Sequence, residues 1–204
     1  MTLSKSRLVL ASGSATRRAM LEAAGIAVSI TPADVDEGAI RDGLLKENPD
    51  VPHARIALAL AEEKAKVVST GTAGALVIGA DQVLSCEGRL FEKPVDMAQA
   101  RATLRALRAK THTLYSAVAL AENGETVWHD VAEARLTMRA FSEAALDAYL
   151  ARVGEIVTTS VGAYQIEGPA IQLFAAVEGD HATVLGMPLL PLVAELLRRG
   201  VLEQ

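Results

Sequence analysis

Apolar residues along this chain fall into two periods, and the points where one gives way to the other mark its elements. Arg7-Leu8-Val9-Leu10-Ala11 is a short apolar run of strand type, followed by a helix bounded by Ser14, a good N-cap, and Gly25, a good C-terminal stop. A strand is expected over Ala27 to Pro32. A helical, Ala/Leu-rich pattern runs from Val51 to Thr70 and closes at Gly71. The run Leu76-Val77-Ile78-Gly79-Ala80-Asp81-Gln82-Val83-Leu84 is of strand formers interrupted by one acid and one amide. It turns at Glu87-Gly88 and returns through Arg89-Leu90-Phe91-Glu92 to Lys93-Pro94, a hairpin pattern. Asp96 to Lys110 is an amphipathic helix. Thr111 to Ala121 and Thr126 to Arg139 are long strands joined by a turn with an Asn123-Gly124 core. Ser142 caps a helix to about Ala151, Ser160 to Pro169 is a Gly-punctuated loop, Ile171 to Val177 is a strand, and Gly186-Met187-Pro188 opens a final helix. Helices and strands alternate early and antiparallel hairpins follow. This predicts one α/β (α+β) domain over residues 1–204, with a mixed twisted sheet, flanking helices and two lobes around a cleft.

Composition narrows the function. Half of the 204 residues are apolar but only 3% are aromatic, so the core is aliphatic. No apolar run reaches membrane-spanning length: the longest, Leu185 to Leu197, carries two prolines and Glu195. Met1 to Arg7 is a polar lead without a signal-peptide core, so a soluble, cytoplasmic protein is expected. The single cysteine, Cys86, excludes an internal disulfide and reads as a small core filler. A net charge of −5 argues against a nucleic-acid polymer as ligand. A small polyanion held by a few focused cations stays open.

The candidate chemistry begins at Asp81. A carboxylate in a run that should be buried is costly unless it is paired, metal-bound or kept for chemistry. A two-residue turn sets Lys93 opposite Gln82 and a bulge sets it opposite Asp81, so two readings stand: a structural Asp81–Lys93 pair, or a catalytic acid. Upstream, the strand, the Ser12-Gly13-Ser14 loop and the helix N-terminus make an anion site. Arg17 and Arg18 oppose the helix dipole there unless an anion neutralises them, the alternative being two solvated arginines. Asp34, Asp36 and Glu37 are either Mg²⁺ ligands or a solvated loop. Of Lys64 and Lys66, only one can face inward.

Several ordered segments, among them Leu10-Ala11-Ser12-Gly13-Ser14-Ala15-Thr16-Arg17-Arg18, Asp36-Glu37, Glu63-Lys64-Ala65, Gly79-Ala80-Asp81-Gln82-Val83, Glu92-Lys93-Pro94, Thr111-His112 and Gly162-Ala163-Tyr164-Gln165-Ile166-Glu167-Gly168, together resemble the Maf family of nucleoside triphosphate pyrophosphatases. The resemblance spans nearly the whole chain. It implies a fold akin to inosine triphosphatases, hydrolysis of a nucleoside triphosphate to monophosphate and pyrophosphate, a divalent cation (Mg or Mn), a cytoplasmic location and often a homodimer. It makes Asp81 the general base and sets Ser14, Arg17, Arg18, Lys64 and Lys93 around the triphosphate, with Glu37 and Asp81 at the metal. On that reading Lys64 and Lys93 are surplus charge in the empty protein, and their loss should cost little stability.

The chain also departs from the family pattern. Ala15-Thr16 stands where many members have Pro-Arg, and Ser160 stands where a lysine is usual. Gln82 and Glu167 resemble the branch that prefers 7-methyl-GTP, which makes Thr16, Gln82 and Glu167 the specificity residues. A carboxylate at Glu167 can accept from both donors on the guanine edge, N1–H and the N2 amino group, an arrangement uracil and thymine lack. The competing function, suggested by the family's association with septum formation and cell division, is a nucleotide-binding regulator without turnover.

Overall fold

The protein, described from a computed structural model, is defined over residues 7–203; the polar lead at residues 1–6 lies outside the described residues. Strand β1 (Arg7–Leu10) pairs in parallel with β2 (Ser29–Ile30) on one side and β3 (Ala75–Cys86) on the other, in the register Leu10↔Ile78. Parallel neighbours need crossovers. Helix α1 (Ala15–Ala23) supplies the first, and helices α2 (Glu37–Glu47) and α3 (His53–Thr70) lie between β2 and β3. Strands β5 (Thr111–Glu122) and β6 (Glu125–Met138) follow β3 in the sheet, joined at Asn123-Gly124 with φ of 51° and 85°. Both central residues in the left-handed region is what a type I′ hairpin turn requires, and it is why Asn-Gly marks one.

Two compact units result. Among the described residues, the first comprises residues 7–82, 115–133 and 180–203, and the second residues 83–114 and 134–179, so the division falls within β3, β5 and β6. In the first unit, alternation along β3 turns Leu76, Ile78 and Ala80 to one face. There they meet Leu8, Leu10, Val118 and Leu120 of the sheet, Met20 and Leu21 of α1, and Met187, Leu192 and Leu196 around helix α7 (Leu189–Arg198). Trp128 rests half-buried against this cluster.

In the second unit, the end of β3 turns at Glu87-Gly88 (φ 51° and 77°) into β4 (Arg89–Phe91), in the register Cys86↔Arg89 to Leu84↔Phe91. Of the two registers the sequence leaves open, this is the two-residue one. The ladder ends at Phe91, so hairpin pairing does not extend to Lys93. Helices α4 (Met97–Leu107) and α5 (Glu143–Val153) start at the caps Asp96 and Ser142 and are tied by Arg101–Asp147 (2.5 Å) and Arg105–Glu143 (2.6 Å). These exposed pairs contribute little each. Strand β7 (Phe174–Glu178) closes antiparallel on β6. Cys86 is buried, 4% exposed, with Sγ 3.7 Å from the Thr111 carbonyl, a core filler as expected. No helix among the described residues is long and apolar enough to cross a membrane.

The structure corrects the anticipated boundaries in four places. Helix α2 was not expected, because Gly38 and Gly43 lower its helical propensity; it starts because the Asp36 side chain accepts from the Ala39 N–H at 2.9 Å. β2 is two residues rather than six. The last strand begins at Phe174, since Pro169 opens a 3-10 turn over Pro169–Leu173 that takes up Ile171. A four-residue helix, α6 (His181–Val184), starts at the Asp180 cap.

Buried in the second unit, His112 (1% exposed) shares a 2.7 Å hydrogen bond between Nε2 and the Tyr164 hydroxyl, and the Tyr164 ring packs edge-on against Phe174 at 4.9 Å. His112 Nδ1 has no partner among the described residues, so nothing compensates a second ring proton. Burial pulls its pKa down to about 4. The unfolded chain therefore binds that proton more readily. The stability His112 leaves intact above its unfolded pKa is lost as pH falls from about 6.5 to about 4, by about 3 kcal/mol. Denaturant unfolding of wild type and His112→Gln at pH 7 and pH 4 tests this: the difference between the two pH values should shrink by about that amount in the variant. An equal difference in both proteins would clear His112 of the effect.

Candidate active site

Alternation on β3 sends Val77, Gly79 and Asp81 to the face opposite the Ile78–Ala80 cluster, where α3 lies. The approach is close. A Cβ on Gly79 would stand 2.1 Å from the Ala61 carbonyl oxygen and 2.7 Å from the Ala65 nitrogen, so only glycine fits. α3 answers with small residues on its inner face, Ala57, Ala61 and Ala65, and Lys64 belongs to that same face. The helix is thereby near enough for the Lys64 ammonium to reach the Asp81 carboxylate at 2.5 Å. Both groups are buried, 8% and 6% exposed. Lys66, by contrast, is half-buried, so one lysine of the two faces inward, as expected.

The same ammonium meets Glu37, the first residue of α2, at 2.6 Å. The Asp36 cap that starts α2 thus also delivers Glu37. Burial pushes the Asp81 carboxyl up from its ordinary value, Lys64 and then Arg17 pull it down, and Glu37 adds to the rise. The net direction is upward. Lys64 takes Oδ1, and Oδ2 has no hydrogen-bond partner among the described residues.

The register Leu10↔Ile78, carried forward, sets Asp81 level with the Ser12-Gly13-Ser14 loop, beyond the carboxyl end of β1. Ser14 caps α1, its hydroxyl accepting from the Arg17 N–H at 3.3 Å. Arg17 is half-buried. It donates from Nε to the Gly186 carbonyl at 2.9 Å and from Nη1 to Ser12 Oγ at 3.4 Å, while Nη2 has no partner among the described residues. Burial lowers its pKa and the nearby Asp81 and Glu37 oppose that. Arg18 points elsewhere, exposed and paired with Glu22 at 2.7 Å, the i,i+4 spacing of a surface helix. Thr16 is half-buried in the first turn of α1.

The first unit therefore brings together Ser14, Arg17, Glu37, Lys64 and Asp81, and leaves Arg18 on its surface. Gln82 lies on the other face of β3 from Asp81. Its Nε2 donates to Ser116 Oγ (2.8 Å), the Thr183 carbonyl (3.0 Å) and the Val184 carbonyl (3.1 Å). Sequence reasoning gave no site role to Ser116, Thr183, Val184 or Gly186, the last read only as the opening of the final helix. In the second unit Lys93 is exposed after β4, and Glu167 is exposed in the turn closed by Gly168 N–H to the Gln165 carbonyl, 3.1 Å. The loop before it is fixed by the Ser160 hydroxyl on the Tyr164 carbonyl (2.7 Å) and the Tyr149 hydroxyl on the Ala163 carbonyl (3.3 Å).

Two carboxylates, Glu37 and Asp81, converge on one cation position, that of the Lys64 ammonium. No group of three or more metal-ligating side chains occurs among the described residues. Asp34 is not among the groups that meet here, and Asp36 serves as a helix cap. The donor set fits a hard divalent ion that takes one or two carboxylates from protein and the rest from phosphate oxygens and water.

Residues 7–199 match the family described as Maf-like protein. A nucleoside triphosphate pyrophosphatase of Paramagnetospirillum magneticum is 54% identical over 95% of this chain and 99% of its own. A 7-methyl-GTP pyrophosphatase of Rhizobium meliloti is 46% identical over 98% of this chain and 99% of its own. Among solved structures, a HAM1 protein from Coxiella burnetii overlaps 95% of this chain and 99% of its own, at 15% identity and a TM-score of 0.49.

The geometry revises one expectation. Lys64 is the counter-ion of a buried carboxylate, so it is not surplus charge in the empty protein. Lys64→Met should destabilise the protein by about 3 kcal/mol near neutral pH, the scale of breaking a buried pair. The loss should diminish in acid, where Asp81 protonates, and Asp81→Asn should restore part of it. Thermal denaturation of the two single variants and the double decides this; a Lys64→Met melting temperature equal to wild type would return Lys64 to the role of spare charge.

Proposed function

The chain belongs to the Maf-like protein family, and from that premise we propose that it is a nucleoside triphosphate pyrophosphatase with Asp81 as its general base. It is a hydrolase that cleaves a triphosphate to the monophosphate and pyrophosphate. The observation that carries the assignment of Asp81 is its divided carboxylate: Oδ1 is held by Lys64, while Oδ2, on a group whose pKa is raised, has no partner among the described residues. A base must be fixed and still have an oxygen to offer.

In the reaction, Asp81 Oδ2 takes a proton from a water as its oxygen bonds the α-phosphorus, and the bond from that phosphorus to the α,β-bridging oxygen breaks. Pyrophosphate leaves with the electron pair. Arg17 Nη2, the Ser14 cap and the open N–H groups of α1 supply donors to the phosphates. Lys64 holds Asp81 in place and adds charge beside the reaction. Lys93 joins these donors in the proposal. Glu37 and Asp81 would hold a divalent cation, Mg or Mn, which when bound neutralises phosphate charge.

For the base, Glu167 is the reader. Its two acceptor oxygens match the paired donors of guanine, and a carboxylate favours the cationic ring of a 7-methylated base. The 7-methyl-GTP pyrophosphatases among the relatives support this choice. Thr16, on the first turn of α1, is assigned to the same specificity set. A cytoplasmic location and a homodimer, implied by the family resemblance, complete the reading.

Two measurements test the proposal. Asp81→Asn should lower pyrophosphate release on the order of a thousandfold while nucleotide binding persists, the worth of a general base. Near-normal kcat in that variant would remove Asp81 from the mechanism, and binding without turnover in the wild type would favour the regulator instead. Glu167→Gln should cut the preference for 7-methyl-GTP over UTP in kcat/KM by roughly 1–3 kcal/mol, the scale of one bidentate base contact. Unchanged ratios would show that Glu167 does not read the base.

A further inference from the structure

Every group that faces the Gln82 amide nitrogen accepts. The Thr183 and Val184 carbonyls can do nothing else, and the Ser116 hydroxyl gives its proton to the Thr183 carbonyl at 2.7 Å, so it meets Gln82 with a lone pair. The amide is therefore fixed with its nitrogen toward this knot, and both N–H groups are consumed by the protein. A base could meet only Oε1.

The knot has a downstream end. Thr183 and Val184 lead through Leu185 to Gly186, whose carbonyl accepts from Arg17 Nε at 2.9 Å. Gly186 has φ +105°, and a Cβ there would lie 3.5 Å from Arg17 Nη2 and 3.7 Å from the Gln82 amide carbon. Arg17 and Gln82 thus flank one residue that only glycine readily supplies. Gln82 lies on the face of β3 opposite Asp81, and Ser116, fully buried, backs it.

We propose that Gln82 is a positioning residue for Arg17: by fastening the Thr183 and Val184 carbonyls it holds the Gly186 carbonyl where the guanidinium docks, and so aims the remaining N–H groups at the phosphates. The consequence for catalysis rests on the reading of Arg17 as a phosphate ligand. Gln82 then acts on every triphosphate alike, whatever its base.

Inorganic tripolyphosphate, which has no base, separates the roles. Gln82→Met should raise its inhibition constant about fivefold, the scale of one lost hydrogen bond, and lower kcat/KM by a similar factor for 7-methyl-GTP, GTP and UTP. In an Arg17→Ala background the same change should add nothing, because the two act as one unit. The Arg17 Nε–H resonance, sharp in the wild type through its bond to Gly186, should broaden or move to the free-arginine position in Gln82→Met. An unchanged tripolyphosphate constant with altered base ratios would make Gln82 a base reader and overturn the proposal, as would full additivity with Arg17→Ala. If Arg17→Ala alone leaves tripolyphosphate binding intact, the phosphate reading falls, and the resonance then decides the link: retained in Gln82→Met, it overturns the proposal; lost, it upholds it. Should Gln82→Met not fold, Gln82→Leu, uncharged and unable to donate, takes its place under the same outcomes.

Discussion

The ion pair between Lys64 and Asp81 is the constraint the rest of the candidate site obeys. A carboxylate in the middle of an apolar strand is tolerated when a cation is delivered to it, and a lysine side chain reaches only so far. The helix that carries the lysine must therefore lie nearly on the strand. Gly79 permits that approach and the alanines of α3 complete it. A short polar helix, α2, then adds its first residue to the same ammonium. Three elements of different sequence distance are held together by one charge, which also decides which oxygen of Asp81 is engaged.

Strand alternation divides the work between two adjacent residues. Asp81 faces α3 and the carboxylate–ammonium cluster; Gln82 faces α1 and the segment before α7. In the proposed function, one strand thus serves a proton-handling side and a phosphate-holding side. The two meet beyond the end of β1, where the loop into α1 lies. The field of each reaches the other, since Asp81 and Glu37 act on the Arg17 guanidinium across that edge.

Much of this was legible in the sequence because it is local. The Ser14 cap, the Asn123-Gly124 turn, the Glu87-Gly88 turn and the rule that only one of Lys64 and Lys66 faces inward each follow from a few neighbouring residues. The partner of Asp81 was not legible in that way. Hairpin reasoning offered Lys93, ten or so residues on, whereas the cation found on Asp81 comes from a helix seventeen residues upstream, and its reach depends on Gly79 having no side chain. Arg18 shared every sequence signal of Arg17; one step of helical rotation sent it to Glu22 instead. Helix α2 stayed hidden because its glycines argue against helix more loudly than one aspartate cap argues for it. The Gln82 knot had no signal, since its acceptors are backbone carbonyls that any residue provides.

The aromatic poverty of the chain gives each compact unit its own natural reporter. The one tryptophan, Trp128, leans on the aliphatic cluster of the first unit, and the one cysteine, Cys86, is sealed in the second. Fluorescence therefore follows the loss of one core and thiol labelling the opening of the other, without any engineered probe. Since β3, β5 and β6 each contribute to both, the two clocks also measure how far a shared strand can transmit disorder from one half of the molecule to the other.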